Sequence, residues 1–182
     1  MRLVGALLLA GALIGCGGGA SRCASEPAPS ATPNANADPE LADTFPDTVA
    51  GEPLEVATFC VNELGELCGI ETSDEMLGGV GVSLSELTIA AVPPDFGTPG
   101  GTFSIGAYRF AGANEEVIRD TFFRLLAKAS SEINVDPHIE EATIGGKAAH
   151  RALGLVYYVS DDVLYSVQGA EATVESVLEA LP

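Results

Sequence analysis

Basic side chains are scarce in this sequence: eight Lys and Arg stand against 26 Asp and Glu in 182 residues, for a formal charge of −18. A protein that grips nucleic acid neutralises phosphates with Lys and Arg, so this balance excludes that class. It equally excludes electrostatic adhesion to anionic lipid headgroups. Tryptophan is absent, and histidine occurs twice, at His138 and His150. Neither a CxxC nor an HxxxH spacing occurs, so a zinc site built from Cys60, Cys68, His138 and His150 lacks the usual ligand pattern. What the chain has in quantity is apolar side chains, 47 % of the total, which excludes a wholly disordered polymer.

The amino terminus reads as an export signal. Arg2 supplies a short positive region, and residues 3–14 (LVGALLLAGALI) follow without a charge. Twelve residues are too few to cross a hydrocarbon core, which takes about 20 helical residues. The run ends in Leu13-Ile14-Gly15-Cys16, which resembles the lipobox of bacterial lipoproteins. The resemblance implies that residues 1–15 are removed as a signal peptide and that Cys16, carrying diacylglycerol, becomes the first residue. Its partner is then the lipid bilayer, and each buried acyl methylene adds about 0.8 kcal/mol to the attachment.

Between residues 17 and 40 there is no Val, Ile, Leu, Met or aromatic residue. Such a segment lacks the surface to order itself, so residues 16–40 read as a lipidated cysteine and a disordered tether. Fully extended, it reaches roughly 80 Å. Apolar spacing starts at Leu41 and continues to Leu181, and residues 41–182 are expected to form one globular domain. A domain of that size buries close to 70 % of its unfolded surface, enough for a core without metal or disulfide support.

Within the domain, residues 54–61 and 87–92 read as strands, and residues 102–110 alternate as a third. Thr72 and Glu75 fit a capping box opening a short helix that Gly78 and Gly79 would stop. Asn114 can cap a longer helix whose stripe is Val117, Ile118, Thr121, Phe122, Leu125, Leu126 and Ala129. Residues 139–144 and 147–153 flank Gly145-Gly146, a hairpin signal, and residues 155–159 and 163–168 flank a second turn at 160–162. Val174, Val177, Leu178 and Leu181 mark a last helix. The order is β-α-β-β-α-β-β-β-β-α. Tight hairpins demand antiparallel pairing, so the expected fold class is α+β, an antiparallel sheet built from hairpins with two or three helices packed on one face.

Four segments of this domain resemble uncharacterised bacterial secreted lipoproteins. They are the A-x-R-x-x-G strand end at Ala107, Arg109 and Gly112; the hairpin Gly145-Gly146-Lys147; the strand Asp162-Val163-Leu164-Tyr165; and the terminal L-x-x-L-P at Leu178, Leu181 and Pro182. The resemblance covers most of the domain and implies no activity.

Candidate chemistry is sparse. With Cys16 lipidated, Cys60 and Cys68 have seven residues between them, Gly65 included, and export places them where disulfides form, so a Cys60–Cys68 bridge is expected with Cys23 left over in the tether. His138 follows Asp136-Pro137 in a turn-like stretch and His150 lies on a hairpin strand. Both read as surface residues, since no nucleophile elbow or catalytic-cysteine context accompanies them. Asp161-Asp162 reads as turn chemistry and not as an acid–base pair. Gly145-Gly146-Lys147 lacks the upstream glycine and the following Ser or Thr of a phosphate loop.

Charge is unevenly spread. Residues 41–108 hold eleven acids and no Lys or Arg, whereas residues 109–182 hold twelve acids and six bases. Glu63, Glu66, Glu71, Asp74 and Glu75 crowd the Cys60–Cys68 region, which suits either Ca2+ or a solvated acidic face. The expectation is a lipid-anchored extracytoplasmic domain on the cell membrane or outer membrane, without cofactor or catalytic residues, that binds a ligand or an envelope protein partner. The alternatives are Ca2+ binding at the acidic cluster, or an enzyme using His138 or His150 as base.

Overall fold

The structure, a computed structural model, describes residues 23, 35–49, 51–63, 69–92 and 103–182. Cys16 and the rest of the export signal lie outside these residues, as do Cys68 and the side chains of Glu63 and Glu66.

A seven-stranded antiparallel sheet forms the centre. In chain order its strands are β3 (Ala57–Cys60), β4 (Leu87–Val92), β5 (Phe103–Phe110), β6 (Glu140–Ile144), β7 (Lys147–Ala152), β8 (Leu155–Ser160) and β9 (Val163–Gly169). A separate two-stranded ribbon, β1 (Thr48–Val49) with β2 (Glu52–Pro53), precedes them. The spatial order β3-β4-β5-β9-β8-β7-β6 follows from hairpins plus one long return, which seats β9 against β5. Among the described residues the α-helices are α1 (Pro39–Ala42), α2 (Asp74–Val80), α3 (Glu115–Glu132) and α4 (Glu171–Ala180). The α+β class and the antiparallel hairpins are as the sequence leads one to expect.

Two helices, α2 and α3, share one face of the sheet as expected, and α4 adds cover on the other. Each strand sends alternate side chains to opposite faces, and both faces are covered. Val163, Tyr165 and Val167 of β9 join Ile105 and Ala107 under α4 and Leu41. Leu164, Leu87, Ile89 and Phe110 pack on the other side with Met76 of α2 and Phe122 of α3. The physical reason is visible in β4, buried at all six positions: a strand buried throughout has two covered faces.

Two local expectations shift. The α2 cap is Ser73, whose Oγ accepts the Met76 N–H, and not Thr72. Gly78 and Gly79 do not stop the helix, which runs to Val80 and ends at Gly81 in a left-handed conformation. Gly79 serves packing instead: a Cβ there would come within 2.6 Å of Thr121 Cγ2 on α3, so the glycine lets the two helices approach.

The domain starts earlier than Leu41. Residues 35–37 hydrogen-bond to β3, with Thr58 N–H donating to the Ala35 carbonyl and Ala37 N–H donating to the Thr58 carbonyl. Asp38 then caps α1, with Pro39 in its first turn. Residues 35–40 are thus folded onto the domain; the other residues of the expected tether, apart from Cys23, lie outside the described residues.

Candidate functional site

The sulfur chemistry differs from the expected pairing. Cys60 is bonded to Cys23, with Cα atoms 5.6 Å apart, and both residues are buried. A cysteine forms one bridge, so this bond takes the place of Cys60–Cys68. The short loop between 60 and 68 favours local closure on entropy alone. In this fold tertiary structure, and not loop length, decides the partner.

Asp38 is fully buried and Arg109 partly so. Arg109 Nη1 donates to both Asp38 oxygens at 3.0 and 3.1 Å, Thr88 Oγ1 donates at 2.8 Å and the Leu41 N–H at 3.1 Å. Burial works against the charge on Asp38, but these donors outweigh it and hold the carboxyl below its ordinary range. Arg109 Nε also donates to Asp162 at 3.3 Å, and the Gly112 N–H donates to the same carboxylate at 3.1 Å. The A-x-R-x-x-G segment and the Asp162 strand therefore meet.

The other two resemblance segments meet as well. Lys147 Nζ donates to the Leu181 carbonyl at 2.8 Å and lies over the Tyr158 ring, whose hydroxyl donates to the Pro182 carbonyl. Gly145 (φ +57) faces the α4 backbone so closely that a Cβ would stand 2.7 Å from the Glu175 oxygen. All four segments act as locks of the fold. Asp161-Asp162 forms the expected turn, with Asp161 in the left-handed region.

The two histidines part company. His138 is exposed, with φ +46 and its backbone N–H donating to Asp136, and fits the surface reading. His150 does not: its ring lies 4.2 Å from that of Phe123, and only 17 % of its side chain is exposed. It forms part of a groove of about 930 Å3 between α3 and the β6–β7 hairpin, with Arg119, Asp120, Phe123 and Glu141 around it. Burial pushes the imidazole below its ordinary value and Arg119 adds to this, against opposing pulls from Glu141 and Asp120. Glu141 Oε1 stands 4.0 Å from His150 Nε2, within ion-pair reach but beyond the 2.6–3.2 Å or so of an oriented acid–base dyad. The groove offers an aromatic floor and a neutral imidazole to a small ligand. Strand alternation places His150 on a face, but only the position of α3 makes that face half-buried.

The described members of the acidic cluster, Glu71, Asp74 and Glu75, go separate ways. Glu75 pairs with Lys128 at 2.6 Å, and Asp74 lies in the first turn of α2. Glu71 turns inward, where burial raises its carboxyl and its charge helps burial raise the hydroxyls of Tyr108 and Tyr157, the latter to about 12. Among the described residues no three of His, Cys, Asp and Glu stand close enough to hold a metal ion. Nor is any described helix long and apolar enough to cross a membrane.

Comparison with protein-family models, with curated proteins and with solved structures finds no match to this chain.

Proposed function

We propose that this chain is an exported, lipid-anchored module that works outside the cytoplasm by binding a partner. The observation that carries the reading is the buried Cys23–Cys60 bridge, only seven residues beyond the lipobox-like Cys16. Structural disulfides persist in oxidising compartments, and this one agrees with the export signal that precedes it.

The bridge changes how an anchored domain would be held. Six residues, 17–22, separate Cys16 from the bridged Cys23. Their greatest span, at roughly 3.6 Å per residue, is about 25 Å, so the domain works close to the bilayer and not at the end of a long leash.

Labelling cells with a radioactive or clickable fatty acid and fractionating them tests this reading. The expected result is label in the membrane fraction, lost from both lipid and membrane in Cys16→Ala. Unlabelled wild-type protein in the cytoplasm would end it.

The groove beside His150 favours a second reading, a small-ligand or catalytic site with His150 as base. Turnover that disappears in His150→Gln while the melting temperature holds would establish it.

A further inference from the structure

Five large apolar side chains are exposed among the described residues, and three of them, Ile133, Val135 and Leu153, gather at one end of the sheet. Ile133 follows α3, Val135 lies in the segment leading to β6, and Leu153 lies in the turn between β7 and β8. The Leu153 N–H donates to the Pro137 carbonyl at 3.1 Å, which joins the two loops. Exposures of 72, 45 and 46 % show that the core does not use these side chains.

The same end is strained. Four non-glycine residues among those described have positive φ, and Asn134, His138 and Leu153 are three of them. Asn and His enter this region without great difficulty, but leucine is a poor choice. Leu153-Gly154 occupies a two-residue hairpin turn, where Asn or Asp before Gly is the favoured chemistry. Neither turn preference nor core packing accounts for a leucine here, whereas a contact made with another molecule does.

Charge narrows the other molecule. Glu132, Asp136 and Glu140 are exposed around the tip, while nearby Lys128 and Arg151 are engaged by Glu75 and Glu171. An anionic bilayer is repelled by such a rim, and a basic one is attracted. The tip also lies at the opposite end of the strands from Cys60. β7 and β8, six residues each, put about 20 Å between the two ends.

We propose that Ile133, Val135 and Leu153 form a docking surface for a protein partner that offers an apolar pocket rimmed by Lys or Arg. The proposal rests on the reading of the chain as a binding module, and it is independent of the lipid anchor.

A benzophenone amino acid at position 133 of the full chain, photolysed in the native cells, tests it. The same probe at the exposed Glu116 is the control. The expected result is one discrete adduct, at least tenfold above the control, whose cross-linked segment carries apolar residues beside Lys or Arg. Leu153→Asn should lower that adduct about tenfold while holding or raising the melting temperature, since asparagine suits the left-handed turn. Adducts to lipid, to a second copy of this chain or to an acidic segment would overturn the proposal, as would none above the control. The fatty-acid label reads the anchor separately, so loss of the docking surface leaves that reading standing.

Discussion

Arg109 Nη1 reaches both oxygens of Asp38 across a sequence gap of 71 residues, and so fastens the folded amino-terminal segment to the middle of the sheet. The pair is desolvated, and Thr88 and Leu41 supply further donors to the carboxylate. Removing one partner of a buried pair leaves the other charge uncompensated, a loss of about 3–5 kcal/mol. Asp38→Ala should therefore unfold at much lower denaturant than wild type, measured by urea titration. Asp162→Asn, which touches the exposed side of Arg109, should lose far less.

The same carboxylate sets an acid limit. Its acidity is strengthened in the fold, so the stability it confers is fully present above the unfolded value near 4 and is lost as pH falls through the lower folded value. Melting curves between pH 5 and 2 should show a fall that Asp38→Asn flattens. An unchanged slope would contradict the assignment.

The Cys23–Cys60 bridge closes a loop of 37 residues. Chain entropy gives such a closure roughly 3–4 kcal/mol. Cys23→Ser should cost about that, and peptide mapping of the native protein should recover residues 23 and 60 in one cross-linked fragment. Recovery of residues 60 and 68 together would refute the pairing.

His150 should titrate below about 6.5, the ordinary imidazole value, in an NMR pH series. Glu141 opposes the depression, so Glu141→Gln should move the midpoint lower still. Because the folded value is depressed, this histidine subtracts stability as pH falls from near 6.5 through that midpoint. A midpoint at or above the ordinary value would deny the burial against Phe123.

Gly79 separates α2 from Thr121 of α3. Gly79→Ala should destabilise by about 1–3 kcal/mol, the range for overpacking. Adding Thr121→Ser removes the opposing methyl and should recover part of that loss.

Much of this architecture was legible in the chain. Gly145-Gly146 and Asp161-Asp162 mark both hairpins, and Asn114 with its apolar stripe marks α3, because these are local signals that tertiary packing reinforces. β4 held a further clue: LTIAAV lacks alternation, the pattern of a strand covered on both faces, and it pointed to helices on both sides. Asp38-Pro39 likewise carries a helix start, hidden in a stretch whose lack of large apolar residues argues for a tether. The cysteine partners could not be read, since connectivity depends on tertiary structure and not on spacing. The His150 groove and the exposed tip were equally hidden. Each arises from where α3 ends and which part of the sheet it leaves open.

The intact mass of the protein purified from its own membranes tests the central claim most directly. The anchored reading predicts a chain beginning at Cys16, heavier by a diacylglyceryl group, with or without one further acyl chain, and lighter by the hydrogens of one disulfide. A mass that retains residues 1–15, or that shows an unmodified Cys16, would contradict it.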